Sequence, residues 1–267
     1  AIACFAVISS KTSEIVMDRG ARVFLRTLAH FVFSGNGLWV SGLFACLGGM
    51  LVSGSRAAGL SVVLALGVFT LLIALRAPRG RRTAPALVGV ALLALALGII
   101  FLGGSIVADR LDQLARSGDP LRLRMWRAAI DGIHASPWLG FGLGGFQTYF
   151  DTVVKLGWPM SVDYAHSDWL ELFFSLGVPA ALVWVLMMLA LLIRQIRALF
   201  YRRRDHHILA AGAAAMVFAA LHATVDSALS IPAVACSFAA ILGASCAQCV
   251  RRGEPVSARQ TDESTEP

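Results

Sequence analysis

Five stretches of this chain are each about as long as a bilayer's hydrocarbon core is thick. They lie at 36–54 (GNGLWVSGLFACLGGMLVS), 57–75 (AAGLSVVLALGVFTLLIAL), 84–108, 169–193 and 208–227, and a sixth at 231–249 follows the Ser230-Ile231-Pro232 turn. A helix needs roughly 20 mostly apolar residues to cross the hydrocarbon. Backbone polar groups in lipid must be satisfied within the structure, so only helices or closed barrels cross. Runs this long, without strict alternation, read as helices. Of the 267 residues 57% are hydrophobic and 15% charged, whereas a soluble domain carries about a quarter charged. That excludes a soluble globular domain, a disordered chain and a collagen-like repeat. The expected fold is all-α, a polytopic transmembrane helix bundle of about six spans. A partial first span at 1–10 is expected as the tail of a helix whose start is missing.

The net charge of +7 raises nucleic-acid binding, and the placement of the charge excludes it. Of the 23 Lys and Arg, 16 fall in four short segments beside apolar runs, at 11–30, 76–83, 194–207 and 250–267. This is the positive-inside pattern of a membrane protein. It puts those segments in the cytoplasm, and residues 54–56, the loop at 109–168 and the turn near 226–232 outside. The outer loop holds six basic residues against seven aspartates. The expected organisation is transmembrane helices over 1–108, a periplasmic loop over 109–168, further spans over 169–250 and a disordered cytoplasmic tail over 251–267.

A connection of that length is functional or disordered far more often than a mere link, and this one carries structure. Asp119-Pro120 is a helix start, an N-cap acid followed by Pro at the first helical position. Leu123, Trp126, Ile130 and Ile133 then recur at helical spacing. Ser136-Pro137 ends the helix, and WLGFGLGGFQTYF follows with the aromatics and glycines of a membrane interface. Gly140 to Gly145 superficially match a dinucleotide loop, but the stretch follows a helix rather than a strand. A tight turn, or amides aimed at an anion, is the better reading.

Several polar residues sit where lipid makes them costly. Arg56 lies between two apolar runs with almost no loop, and is either a snorkelling anchor or a ligand-binding group. Arg122, Arg124 and Arg127 share one helix, so at most two face one target. His166 stands just before a transmembrane run, where an imidazole can exchange a proton near neutral pH; a structural hydrogen-bonding role is the plain alternative. Asp163, His166 and Asp168 match no dense metal signature, and no metal or other cofactor is expected. His222 and Asp226 are four residues apart, on one helix face, either functional or a polar lock. All five cysteines fall in or beside apolar runs, and Cys246-x-x-Cys249 has no second pair, so these read as small buried residues.

Four stretches in order, VSGSRAAG (52–59), RLRMWRAAIDGIHASPWLGFGLGGF (122–146), AHSDWLELFFSLGVPAAL (165–182) and HATVDSALSIPA (222–233), carry a resemblance over roughly residues 36–250. The chain resembles the C-terminal portion of the O-antigen ligase and O-antigen polymerase superfamily. That resemblance implies a GT-C-like, metal-independent inverting glycosyltransferase in the bacterial inner membrane, working on the periplasmic face. Its donor would be an undecaprenyl-diphosphate-linked glycan and its acceptor lipid A core or another glycan. It further implies that Arg56 and Arg122 bind the diphosphate and that His166 is the catalytic base. Arg124, Arg127 and Asp168 are secondary candidates. Ser167 stands where the family carries Asn. A membrane transporter or flippase for polysaccharide or anionic lipid, without catalysis, is the alternative from another class; a non-catalytic assembly subunit is a third. The expected partners are membrane lipids and these substrates, with no nucleic acid.

Overall fold

A computed structural model describes residues 2–4, 7, 37–52, 56–77, 120–154, 162–202 and 205–249. The apolar run at 84–108, the basic segments at 11–30 and 78–83, loop residues 109–119 and 155–161, and the tail at 251–267 lie outside the described residues. Within them every regular element is helical. Helix α1 is Gly37–Val52, α2 Arg56–Arg76, α3 Pro120–Ala135, α4 Gly145–Val153, α5 Asp168–Tyr201, α6 His206–His222 and α7 Pro232–Ala247, with a 3₁₀ turn at Ala228–Ser230 before α7.

The larger core forms between α2 and α6. Val62, Ala65, Leu66, Phe69 and Leu72 recur every three or four residues on α2 and are buried with Leu209 and the alanine-rich face of α6 at 210–215. Small residues let helix backbones approach closely, which is how helices associate where apolar burial from water is not the drive. The two helices run antiparallel. The Arg76 guanidinium at the end of α2 donates to Leu199 O and Arg202 O, just before α6 begins. The Phe69 ring lies 6.4 Å from that of His207, at the start of α6. From this level, at 1.5 Å per residue, the first residue of α2 and the last of α6 are each about 20 Å away, towards the same end.

Helices α5 and α7 pack on α6 in the same up-and-down sense. At the far end the Trp169 indole N–H donates to Ala220 O at 3.0 Å. Nearer the Arg76 end, Gln195 of α5 and Ser245 of α7 are fully buried. Any side chain at Gly212 would strike both of them, so the glycine sets how closely the three helices approach.

By length and composition α2 and α5 can cross a membrane, whereas α6 and α7 are shorter apolar helices. Six spans are therefore more than the described helices establish. Moreover, α5 is two helices: Gly177 sits at φ 73°, ψ 165°, outside helical space. The arm from 178 to 201 is still about 36 Å long, above the roughly 30 Å of the hydrocarbon. It leaves Val183, Leu186 and Met187 exposed, as a lipid-facing surface would.

The smaller core joins α3, α4, the segment at 162–165 and the first arm of α5 around Phe146, Phe150 and Phe174. Helix α3 starts at Pro120, but its buried face is only partly the one that hydrophobicity picks out. Met125, Ala128 and Ala129 are buried, while Leu123 and Ile130 are 48% and 43% exposed. The reason is close packing: a Cβ at Gly132 would overlap the Phe174 ring. Small residues make room for that ring; Leu121 and Ile133 pack at the edge of this core, while Leu123 and Ile130 turn away.

Candidate active site

The break in α5 is where the glycine-rich loop docks. Phe141 N–H and Gly142 N–H donate to the carbonyls of Phe174 and Ser175 at 2.9 and 3.0 Å, and Val178 N–H donates to Pro137 O at 2.7 Å. Carbonyls and amides orphaned by the missing helical turn are thus satisfied from the loop. Gly140 and Gly177 both have positive φ, +65° and +73°, and a Cβ on either would run into the other segment's backbone. The amides of Phe141 and Gly142 are therefore engaged by α5 rather than aimed at an anion. Above them Phe141 stacks on Phe174 with centroids 4.8 Å apart and meets Tyr149 at 4.7 Å. Burial, and then the Asp131 charge, raise the Tyr149 phenol above its usual range, which keeps it neutral.

The segment that precedes α5 is held just as firmly. The Ser167 hydroxyl caps α5 by accepting from Leu170 N–H, and donates to Ala223 O at 3.1 Å. Ser is a strong N-cap residue, and both partners of its hydroxyl are main-chain groups. Asp168 N–H donates to Asp226 O, and the Asp168 carboxylate accepts from Leu229 N–H at 3.0 Å and Ser230 Oγ–H at 3.2 Å. Glu171 accepts from Ala165 N–H. Asp168 therefore ties α5 to the 3₁₀ turn.

Between these anchors the backbone at His166 is forced to φ 51°. A non-glycine residue there costs of order 1 kcal/mol, and such strain gathers at functional sites. The imidazole is half-exposed, and its Nδ1 lies 3.5 Å from Asp226 Oδ1. Asp226 Oδ2 in turn lies 3.6 Å from His222 Nε2. Spacing puts His222 beside Asp226, but the arrival of His166 from 60 residues away is a product of the fold.

The arginines sit as follows. Arg56 is the first residue of α2, and antiparallel packing puts that end of the helix level with the end of α6, where His222 lies. Arg122, Arg124 and Arg127 are exposed on α3. The buried face of α3 shares one core with Val162 and Ala165, next to His166. Asp163 is exposed on the same segment as His166. Cys246 accepts from Gln195 Nε2–H and Cys249 donates to Ser245 O; these two are half-buried, whereas Cys46 and Cys236 are exposed rather than buried.

A groove of about 520 Å³ opens beside this end of the bundle. Asp168, Glu171 and Ser230 line one part of it, and Leu172, Leu176, Met188 and Phe238 make the rest apolar.

The O-antigen ligase family model matches residues 41–185. The chain belongs to that family. No curated protein and no solved structure matches it. The matched stretch contains Arg56, Arg122 and His166, whereas His222 and Asp226 lie beyond it. Membership in the O-antigen ligase family makes this a membrane protein with ligase- or polymerase-type, glycosyltransferase-like function in polysaccharide biosynthesis.

Proposed function

We propose that the chain carries the site of a metal-independent inverting glycosyltransferase that works on the periplasmic face of the inner membrane. It moves a glycan from an undecaprenyl-diphosphate carrier to lipid A core or to another carrier-linked glycan. The observation that carries this reading is His166 facing Asp226 at 3.5 Å between the start of α5 and the end of α6; α3, bearing Arg122, packs on α5, and α2 begins with Arg56.

The chemistry follows from the residue types. His166 takes the proton from the acceptor hydroxyl as its oxygen attacks the anomeric carbon. The bond from that carbon to the diphosphate oxygen breaks on the opposite face, so configuration inverts and the lipid diphosphate leaves. Arg56 and Arg122 offset the growing charge, since a guanidinium presents a planar fork matched to phosphate oxygens. Their preorganised charge stabilises the leaving group. The groove along α5 and α6 receives the carrier's prenyl chain, and the exposed Trp138 and Phe141 give sugar rings a surface.

The test is transfer measured with purified protein and complementation of strains that lack a ligase or a polymerase. His166→Ala is expected to lower transfer by about 10²–10⁴-fold at unchanged membrane abundance. Arg56→Lys and Arg122→Lys keep the charge but lose the fork, and each is expected to cost about tenfold or more. EDTA is expected to have little effect. Full transfer by His166→Ala overturns the general-base role, and strong inhibition by EDTA overturns the metal-independent one. Restored attachment to lipid A core marks a ligase, and restored chain length a polymerase.

A further inference from the structure

Asp226 stands between two imidazoles, and they are held differently. His222 ends α6 with its ring buried and nearly parallel to Phe218, at 13° and 5.6 Å. Its Nδ1 is buried with no hydrogen-bond partner among the described residues. A proton on that nitrogen would lack an acceptor, which is unfavourable away from water. The tautomer with its proton on Nε2 suits the site, and Nε2 is the atom that faces Asp226. Asp226 is fixed by its backbone as well: its N–H donates to His222 O at 3.1 Å, and its carbonyl accepts from Asp168 N–H at 3.1 Å. Ser227 N–H donates to Asp226 Oδ1 at 2.9 Å. The neighbouring carboxylates are engaged elsewhere, Asp168 with Leu229 and Ser230 and Glu171 with Ala165. What remains for Asp226 is His166, half-exposed, with Nδ1 turned to the carboxylate.

We propose that Asp226 and His222 are positioning residues that set the tautomer of His166. The carboxylate accepts from His222 Nε2–H and from Ser227 N–H. So anchored, it holds the His166 proton on Nδ1, leaving the lone pair on Nε2 for the acceptor hydroxyl. During transfer that hydroxyl's proton passes to Nε2, the Asp226 carboxylate offsets the imidazolium charge, and the proton then returns to solvent. Separations of 3.5 and 3.6 Å exceed a finished hydrogen bond, and contacts of this kind tighten when substrate is bound. The strained backbone of His166 serves the same end, since it aims the ring at a carboxylate that its own segment does not supply. This inference rests on the role of His166 proposed above.

The experiment measures kcat, donor KM and thermal stability for the full protein, with a lipid-diphosphate-linked glycan as donor. Asp226→Asn keeps the shape but removes the preferred acceptor for Nδ1–H. It is expected to lower kcat about 100-fold, with donor KM within about twofold and Tm unchanged. His222→Gln retains an amide donor towards Asp226 and is expected to lose less than His222→Phe. In a His166→Ala background Asp226→Asn is expected to cost nothing further, because residues that act as a unit are not additive. Full kcat in Asp226→Asn, beside an inactive His166→Ala, overturns this inference and leaves the transferase reading standing. An additional loss in the double variant overturns it too, because it shows a role independent of His166. Absence of transfer by the unmodified protein overturns the transferase reading, and this inference with it.

Discussion

The two ends of the same helices use their polar groups in opposite ways. At one end the Arg76 guanidinium donates to the carbonyls of Leu199 and Arg202 at 3.1 and 2.8 Å. It satisfies helix-terminal oxygens that have no partner within α5 and places a cation where the helix dipole favours one. Nearby, His207 is buried against Phe69. At the other end the main chain is satisfied by Ser167, Asp168, Glu171 and the docked loop, which frees His166 and Asp226 to face one another, each nearly half exposed. A side chain tied to main-chain carbonyls holds the fold together. An imidazole and a carboxylate held in place by their neighbours, yet open to solvent, are equipped for chemistry. The comparison therefore predicts that damage at the two ends has different consequences.

The largest effect is expected where the functional end depends on its scaffold. Gly177→Ala puts a methyl group into the backbone of the 138–140 segment, and Gly140→Ala does the same to the 174–177 segment. Both also force alanine to positive φ. Each is expected to destabilise by about 3 kcal/mol or more, as clashes and backbone strain add, or to prevent accumulation in the membrane. Thermal unfolding in detergent and membrane abundance check this. A Gly177→Ala protein of unchanged Tm would show that the break in α5 is incidental, and would remove the contrast between an end built by loop docking and one closed by a cation.

That break also shows where sequence reasoning stops. The run at 57–75 became a helix at Arg56–Arg76, and the run after Ser230-Ile231-Pro232 one at Pro232–Ala247, because long apolar periods are local signals. The run at 169–193 reads as one span although Gly177 and Pro179 stand inside it, and at Gly177 it is interrupted by a loop that lies more than 30 residues upstream. Nothing local announces such a partner. The face of α3 is legible only in part for a related reason: of Leu123, Trp126, Ile130 and Ile133, Ile133 packs on the core while Leu123 and Ile130 are exposed, because Phe174 selects alanine and glycine by their size. At the site, residue type and position drew attention to His166, and spacing to His222 and Asp226. Their meeting required α5 and α6 to be packed, since only then does the turn after α6 reach the segment before α5.

An intermediate effect is expected at the opposite end. Arg76→Ala removes two hydrogen bonds to carbonyls and a charge at a helix C-terminus, for an expected loss of about 1–3 kcal/mol. Because this end is structural, kcat for glycan transfer per folded molecule is expected to be unchanged. Unfolding midpoint and turnover measured on one preparation separate the two quantities. A kcat loss at full stability would contradict the division of labour between the ends.

The finest distinction lies at Ser167, which adjoins His166 but whose hydroxyl bonds to main chain. If capping is its whole function, the side chain is exchangeable for any that caps equally well. Ser167→Asn is then expected to shift stability by less than about 0.5 kcal/mol, since the two rank together as caps, and Ser167→Ala to cost about 1 kcal/mol. Turnover should stay close to that of the unmodified protein in both. Because Ser167 lies next to the imidazole, this small measurement is also a sensitive one: a large kcat change in Ser167→Asn with normal stability would move the residue from the scaffold to the chemistry, and with it the boundary between the two kinds of polar group.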